Sequence, residues 1–263
     1  MKISIVTPSF NQGSFIEQAI RSVLAQGIEE VEHIIVDNCS SDETSAVLEK
    51  YSHLKVICEK DQGQSDALNK GFRAATGDIV GWLNADDIYL PGALNAARQA
   101  FEEQPLYDIV YGDYRFVDAK GRLIRVRKET GFDYFVLKYL HVLYIPTTTT
   151  FFRRRIFEQG NFLDIAYHYA MDYEFFVRLA AKGYKFGHIR RLMADFRWHD
   201  ASKSQTQASR QKREMEQALL VHDPFLRSLN GGGRFMLRNL FMCLARSKRT
   251  LIKIFCGAYW CRI

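Results

Sequence analysis

Asp86 and Asp87 stand side by side in the run Asn84-Ala85-Asp86-Asp87, and adjacent carboxylates of this kind suit a hard divalent cation that bridges them to phosphate oxygens. The same pair ahead of Pro91-Gly92 also reads as an ordinary turn into a helix. Two more polar clusters, Thr7-Pro8-Ser9-Phe10-Asn11 and Asp37-Asn38, each follow a short β-branched run. A further carboxylate, Asp172, opens a helical pattern over Asp172–Lys182, with Phe175, Phe176 and Leu179 on one face and Gly183 at its end. An acid there either complements the helix dipole or takes a proton as a general base, and Glu174 is its rival two residues on. No GxGxxG or Walker loop is present, and Gly231-Gly232-Gly233 follows a helical pattern as a hinge would.

Scattered polar residues can meet only if the elements between them bring them together. Ile3–Thr7, Glu32–Asp37, Lys55–Glu59 and Ile79–Leu83 read as strands. Phe15–Ala25, Asp42–Tyr51 (capped by Asp42 or Ser41), Ser65–Ala75 and Pro91–Gln104 read as helices between and after them. Strands alternating with helices of this length imply βαβ units and a parallel sheet with helices on both faces. In such sheets ligands bind at the carboxyl ends of the strands, where all three polar clusters fall.

The second part changes character. Asp108–Asp113 and Tyr114–Arg127 read as strands, with a turn at Asp118–Gly121, and Thr147–Arg153 as another short strand, which implies mixed or antiparallel pairing. Residues 199–213 contain no large apolar side chain and read as a loop or a solvated helix start. Trp82, Trp198 and Tyr173 are core or acceptor-stacking residues, core being the simpler reading.

The chain has 263 residues, 47% of them hydrophobic, with 36 Lys+Arg against 30 Asp+Glu, enough for a substantial core without staples. The net charge of +6 is not spread evenly: from Pro224 onward there are eight basic and no acidic residues, so residues 1–223 carry 28 basic and 30 acidic side chains. On a helical wheel seven of the tail's cations fall within about 160°, opposite Met236, Leu237, Leu240, Leu244, Leu251, Ile254 and Phe255. A helix of this kind either lies on an anionic membrane surface or packs on the domain with its charged side in water. Nucleic acid is disfavoured as a partner, because the region before the tail is slightly acidic and holds no recognised binding module. Cys39, Cys58, Cys243, Cys256 and Cys261 form no metal-ligand spacing and read as reduced thiols. With no signal peptide and no apolar run approaching the ~18–20 residues of a spanning helix, the expected location is cytoplasmic, peripheral on the inner membrane face if the tail binds lipid.

Taken together, SIVTPSFNQGSFIEQAIRSVLAQ (4–26), IIVDNCSSDET (34–44), DQGQSDALNKGFRAATGDIVGWLNADD (61–87) with PGAL (91–94), VYGD (110–113), MDYEFFVRLAAKG (171–183) and RWHDASKS (197–204) resemble the family 2 glycosyltransferases, in the family's order and over about 1–205. The resemblance implies an α/β, GT-A type fold: a mostly parallel Rossmann-like sheet flanked by helices, with a smaller antiparallel acceptor-side part, to which the charge and wheel pattern add a C-terminal amphipathic helical tail. The expected division is a domain of 1–223, with a nucleotide-sugar-binding half (1–113) and an acceptor-binding half (114–223), and a basic tail, 224–263.

The resemblance also implies roles. Thr7, Pro8, Phe10, Asn11, Asp37, Asp66, Asn84 and Ala85 would contact a nucleotide-diphosphate-sugar donor, a UDP-sugar by preference, with Lys203 and Ser204 on a loop over its phosphates. Asp86, the last acid of the family's DxD motif, would ligate Mn2+ or Mg2+, with Asp87 and His199 as further metal contacts. The motif's first acid is here Asn84, which puts a two-carboxylate metal site in doubt and makes Asp86 the expected single direct ligand. Asp172 falls where the family has its general base. The implied activity is inverting transfer of a sugar to a hydroxyl of a saccharide or lipid-linked saccharide, in bacterial surface polysaccharide biosynthesis. Two alternatives remain at this point: a non-catalytic nucleotide-sugar-binding scaffold, which Asn84 favours, and a nucleotidyltransferase, which would want a Gly-rich basic loop that the sequence lacks.

Overall fold

The computed structural model describes residues 1–140, 142–198 and 208–255. Its first four strands, β1 (Ile3–Ser9), β2 (Val31–Asp37), β3 (Leu54–Cys58) and β4 (Ile79–Trp82), run parallel in the order β3-β2-β1-β4. Between them lie α1 (Gly13–Leu24), α2 (Thr44–Leu48) and α3 (Gln64–Ala74). The central strands are apolar on both faces because helices cover both. Ile16, Ala19, Ile20 and Val23 form the buried stripe of α1 at helical spacing. Gly71 lets α3 approach β1, since a Cβ there would stand 2.2 Å from Val6 Cγ1.

The sheet continues through β5 (Ile88–Tyr89), β6 (Ile109–Val117), β7 (Leu123–Arg127), β8 (Thr150–Arg153) and β9 (Phe186–Arg197). Strand β8 lies antiparallel between β4 and β6, β9 runs parallel to β6, and β7 pairs antiparallel with β6. Helices α4 (Ala93–Glu103), α5 (Tyr134–Tyr139), α6 (Arg155–Glu158) and α7 (Met171–Ala181) complete this part. One face of the sheet carries an aromatic core in which Phe72 stacks on Phe157 at 4.3 Å between ring centroids, beside Trp82, Phe152 and Phe175. The opposite face buries Ile3, Ile5, Leu94 and Phe101.

Several elements differ from the sequence reading. The second helix is only Thr44–Leu48, although Asp42 Oδ1 does accept the Thr44 N–H at 3.0 Å. Residues 109–117 form one strand, with no break at Asp113–Tyr114. The expected strand at Thr147 starts at Thr150: Thr147–Thr149 coil into a 3-10 turn, and the hydroxyls of Thr149 and Thr150 bond Gly112 O and Pro146 O. Strand β9 and helix α5 were not expected. The pairing of β9 shifts so that Gly112 faces Ile189 while Asp113 faces Leu192, which erases the two-residue alternation. The six-residue α5 is too short for a helical period to show.

Three helices follow: α8 (Ala208–His222), α9 (Pro224–Ser228) and α10 (Gly231–Phe255). Helix α10 packs on α5, with Phe241 against Tyr139 (4.8 Å) and Phe135 (5.9 Å). Its orientation is the reverse of that expected for a helix packed on the domain with its charged side in water. Arg238, Lys248, Arg249 and Lys253 turn toward Glu216, Asp133 and Glu129, while Met236, Leu240, Leu244, Leu251 and Ile254 face outward. Carboxylates of the domain take up charges that the sequence reading left for water or a membrane surface. No helix among the described residues is long and apolar enough to cross a membrane.

Candidate active site

Strand order reverses at β1: the chain goes from β1 out to β2 and β3, then returns to place β4 on β1's other side. A crevice forms outside the carboxyl ends of strands at such a point. A cleft of about 480 Å³ opens there, and Pro8, Phe10, Asn84, Ala85, Asp86 and Asp172 all line it. That volume lies within the ~300–1,000 Å³ of ligand-binding clefts. Asn38, from the polar cluster after β2, also lines it, as do three residues to which the sequence reading gave no role: Asp61 and Gly63 from the loop after β3 and Gln64 at the start of α3. Gly63 has φ +112°, a conformation that a side chain would strain, and it turns the chain from β3 into α3.

Asn84 is locked in place. Its Oδ1 accepts from Trp82 Nε1 (2.9 Å) and Gln64 Nε2 (3.0 Å), and its Nδ2 donates to Asp87 Oδ2 at 3.0 Å. A carboxylate at this position would meet the Asp87 carboxylate instead of donating to it, which gives the amide a structural reason. Trp82 is largely core, 1% exposed, yet it also lines the cleft beside the bond to Asn84.

Asp87 faces inward rather than into the cleft. It is 1% exposed, accepts from Thr148 Oγ1 (2.6 Å) and from the Arg197 N–H (2.9 Å), and burial followed by the neighbouring Asp86 charge pushes its carboxyl up to about 7. This placement corrects the expectation of Asp87 as a metal contact. Arg197, unassigned in the sequence reading, is itself buried. Its guanidinium donates to Asp86 O (2.8 Å), Ala119 O (2.8 Å) and Gln18 Oε1 (2.8 Å), which fixes the Asp86 turn from below.

Four other expected donor contacts do not line the cleft. Thr7 is fully buried, its hydroxyl 2.9 Å from His33 Nε2, and burial lowers that imidazole to about 3, so the pair is neutral. Asp37 holds Ser40 through both oxygens, and Asn11 ties the end of β1 to Ser40 and Ser41. Asp66 accepts from Gln62 N and pairs with Lys70. Each shapes a cleft loop from behind: the residue types suit turns, and only their tertiary positions separate lining from support.

Asp172 opens into the cleft from the first turn of α7, accepting the Tyr173 N–H at 2.8 Å. Burial pushes its carboxyl from 3.8 up to about 6. Glu174 is committed elsewhere, paired with Arg178 (2.8 Å) and His222 (3.0 Å), which together with hydrogen bonding keep its carboxyl low despite burial. The segment that presents Asp172 is gripped by Glu214 of α8: one oxygen, Oε2, accepts the backbone N–H groups of His168 (3.0 Å), Tyr169 (2.7 Å) and Ala170 (2.9 Å). Gln211 Nε2, one turn earlier, donates to Tyr169 O. Glu214 is an acid in a polar, basic stretch, and nothing in the sequence marks it. Tyr173 is core, its hydroxyl bonded to Lys138 O, and Trp198 packs edge-on against Phe116.

His199, Lys203 and Ser204 lie outside the described residues. Among those described, no group of three His, Cys, Asp or Glu gathers to hold a metal. Of the carboxylates that line the cleft, Asp61, Asp86 and Asp172, that of Asp86 fits a hard cation of the Mn2+ or Mg2+ kind that takes one or two protein carboxylates and completes its shell with phosphate and water.

The profile of "Glycosyl transferase family 2" matches residues 4–160. An uncharacterized glycosyltransferase of Nostoc sp. is 34% identical over 129 residues, which are 45% of this chain and 40% of that protein, so the chain spans well under two thirds of this relative's length. The structure of S. aureus TarS 1-349 in complex with UDP-GlcNAc superposes with a TM-score of 0.69 at 18% identity, covering 92% of this chain and 72% of that one. The mannosyltransferase PcManGT from Pyrobaculum calidifontis, in complex with GDP-Man and Mn2+, superposes at 0.61 with 18% identity, covering 94% and 73%. At these identities the two structures establish a shared fold, of GT-A type. With a profile match over more than half its length, the chain belongs to glycosyl transferase family 2.

Proposed function

We propose that this protein transfers a sugar, with inversion, from a nucleotide-diphosphate sugar to a hydroxyl acceptor. The observation that carries the reading is that Asp86 and Asp172, far apart in sequence, line one cleft at the switch point of the sheet. Inverting transfer is a single in-line displacement at the anomeric carbon. It needs one carboxylate to take the acceptor's proton and a site that steadies the departing diphosphate.

Asp172 suits the first task, because its raised carboxyl lies nearer neutral pH than an ordinary aspartate while remaining ionised at pH 7. Asp86 suits the second as the single protein ligand of Mn2+ or Mg2+, held in place by the Arg197 bond to its backbone carbonyl. A bound cation of this kind supplies charge neutralisation at phosphate oxygens. Pro8, Phe10, Asn38 and Gln64 would contact the donor. Relatives in complex with UDP-GlcNAc and with GDP-Man and Mn2+ support a nucleotide-sugar donor and a divalent cation, and we take a UDP-sugar as the first candidate. The acceptor is a saccharide or lipid-linked saccharide of bacterial surface polysaccharide biosynthesis, used at the inner face of the membrane. Residues 1–113 serve the donor and 114–223 the acceptor.

The locked Asn84 weakens the scaffold alternative, since the amide has a structural task that does not imply lost catalysis. A screen of UDP- and GDP-sugars by thermal shift and by donor hydrolysis, with and without Mn2+, tests the reading. One nucleotide sugar should stabilise the protein and be turned over, and Asp86→Ala should abolish the Mn2+ dependence. Pyrophosphate release from a nucleoside triphosphate, or no turnover of any sugar donor, would refute it.

A further inference from the structure

Beside the cleft lies a second hollow, of about 340 Å³, between α8 and α10. Lys212, Arg238, Asn239 and Arg246 line it together with Met215 and Met242, and no carboxylate among the described residues does. Arg238 is held by Glu216, whereas Lys212 and Arg246 are exposed and make no ion pair among the described residues. Gln211 lines both the hollow and the cleft and bonds the backbone at Tyr169, three residues before Asp172, so the two spaces adjoin. Around α10 from this basic hollow runs the outward ridge of Met236, Leu240, Leu244, Leu251 and Ile254, each between 45% and 73% exposed, within an arc of about 80°. The surface therefore reads, in order, as polar cleft, anion-binding hollow and apolar ridge.

We infer that the hollow binds a phosphate or diphosphate group that joins the acceptor's saccharide to a hydrocarbon chain. The saccharide end lies in the cleft by Asp172, the phosphate oxygens are held by Lys212 and Arg246, and the chain lies along the ridge of α10. Two cations that make no ion pair among the described residues, with a neighbouring amide, suit a multiply charged phosphate group. Five large apolar side chains, each at least 45% exposed and in one row beside them, suit an apolar partner. The order of the three surfaces excludes a neutral, purely sugar acceptor as their full explanation. This inference rests on the glycosyl-transfer reading for the contents of the cleft, while the hollow and the ridge stand on their own geometry.

The test is equilibrium binding of farnesyl diphosphate, an isoprenoid diphosphate without sugar, to the full chain with UDP at saturation so that the donor side is occupied. Binding is expected to be saturable and at least tenfold tighter than that of inorganic pyrophosphate. The double variant Lys212→Ala/Arg246→Ala should weaken it at least tenfold, with UDP affinity and melting temperature unchanged. Leu240→Asp/Leu251→Asp should weaken farnesyl diphosphate but not pyrophosphate. Equal binding by wild type and the basic double variant, or equal affinity for the two probes, would overturn the inference. Loss of binding to phosphatidylglycerol vesicles in the basic variant, with farnesyl diphosphate unaffected, would also overturn it by showing a lipid-headgroup site. If UDP fails to bind the wild type while farnesyl diphosphate behaves as expected, the donor reading fails and the anion site stands.

Discussion

Replacing Asp172 by asparagine removes a charge from a desolvated site and keeps its shape, because the amide oxygen can still accept the Tyr173 N–H that Asp172 Oδ1 accepts at 2.8 Å. Burial raises the carboxyl from 3.8 to about 6, so the folded state disfavours the ionised form by about 3 kcal/mol. The cleft leaves one side of the group open to water, which makes that figure an upper bound. A carboxyl raised on folding leaves stability intact below its unfolded value and lowers it as pH rises through the folded value. The wild type is therefore destabilised above about pH 6, and Asp172→Asn is free of this cost. The variant should be up to about 3 kcal/mol more stable at pH 8, with the gap closing as pH falls toward 4. Its turnover should fall by roughly 10²–10⁴ with donor affinity near wild type. Urea unfolding between pH 5 and 8, paired with steady-state transfer assays, reads both effects. A pH-independent or absent stability gain would show that the carboxylate is not desolvated. A stability gain with full turnover would place the base elsewhere. In the wild type, turnover should decline as pH drops through about 6, where the base takes up its proton.

Glu214→Ala cuts three hydrogen bonds to the segment that presents Asp172 and should lower kcat at least tenfold with donor KM unchanged. Glu214→Gln keeps an accepting oxygen and should recover most of kcat, while loss of the charge that helps raise the Asp172 carboxyl moves the acid limb of the pH profile downward. Arg249→Ala strips one of two cations from the buried Glu129 carboxylate and should cost roughly 2–3 kcal/mol, below a fully broken buried pair because Lys253 remains at 3.3 Å. Arg246→Ala, by contrast, should change stability by less than about 0.5 kcal/mol. Phe241→Ala empties the contact between α10 and α5 and should cost about 2 kcal/mol in denaturant unfolding. Truncation at Pro224 should destabilise the domain still more, since it removes the buried Leu226 and Ala245 together.

The parallel half of the sheet was legible because its signal is local. Strands rich in β-branched residues alternate with amphipathic helices, and the rule that ligands sit at strand ends points to clusters that hold Pro8, Asn84 and Asp86, all three of which line the cleft. Strand β9 was hidden because its register shift breaks the alternation on which sequence reading depends. Asp86 and Asp87 are chemically identical neighbours, yet one faces the cleft and the other is buried under Thr148 and Arg197, a distinction made by residues 61 and 110 positions away. Glu214 and Arg197 went unassigned for the same reason: their partners are backbone atoms of other segments.

By itself, the sequence determined which chemistry was present and the order in which it lay along the chain: carboxylates after strands, an acid at a helix start, and a tail holding all of the excess positive charge. The tail also shows where that knowledge ended. A helical wheel correctly divides its cations from its apolar residues, but an amphipathic pattern has no outside until something packs against it. Glu129, Asp133 and Glu216 drew the basic face inward and left most of the apolar face exposed, with Leu237 packed on the core. Cys39 and Cys58, unremarkable at their spacing in the chain, come within 3.8 Å because β2 and β3 end side by side. Orientation and juxtaposition come from contacts between distant segments, and only the tertiary structure specifies those.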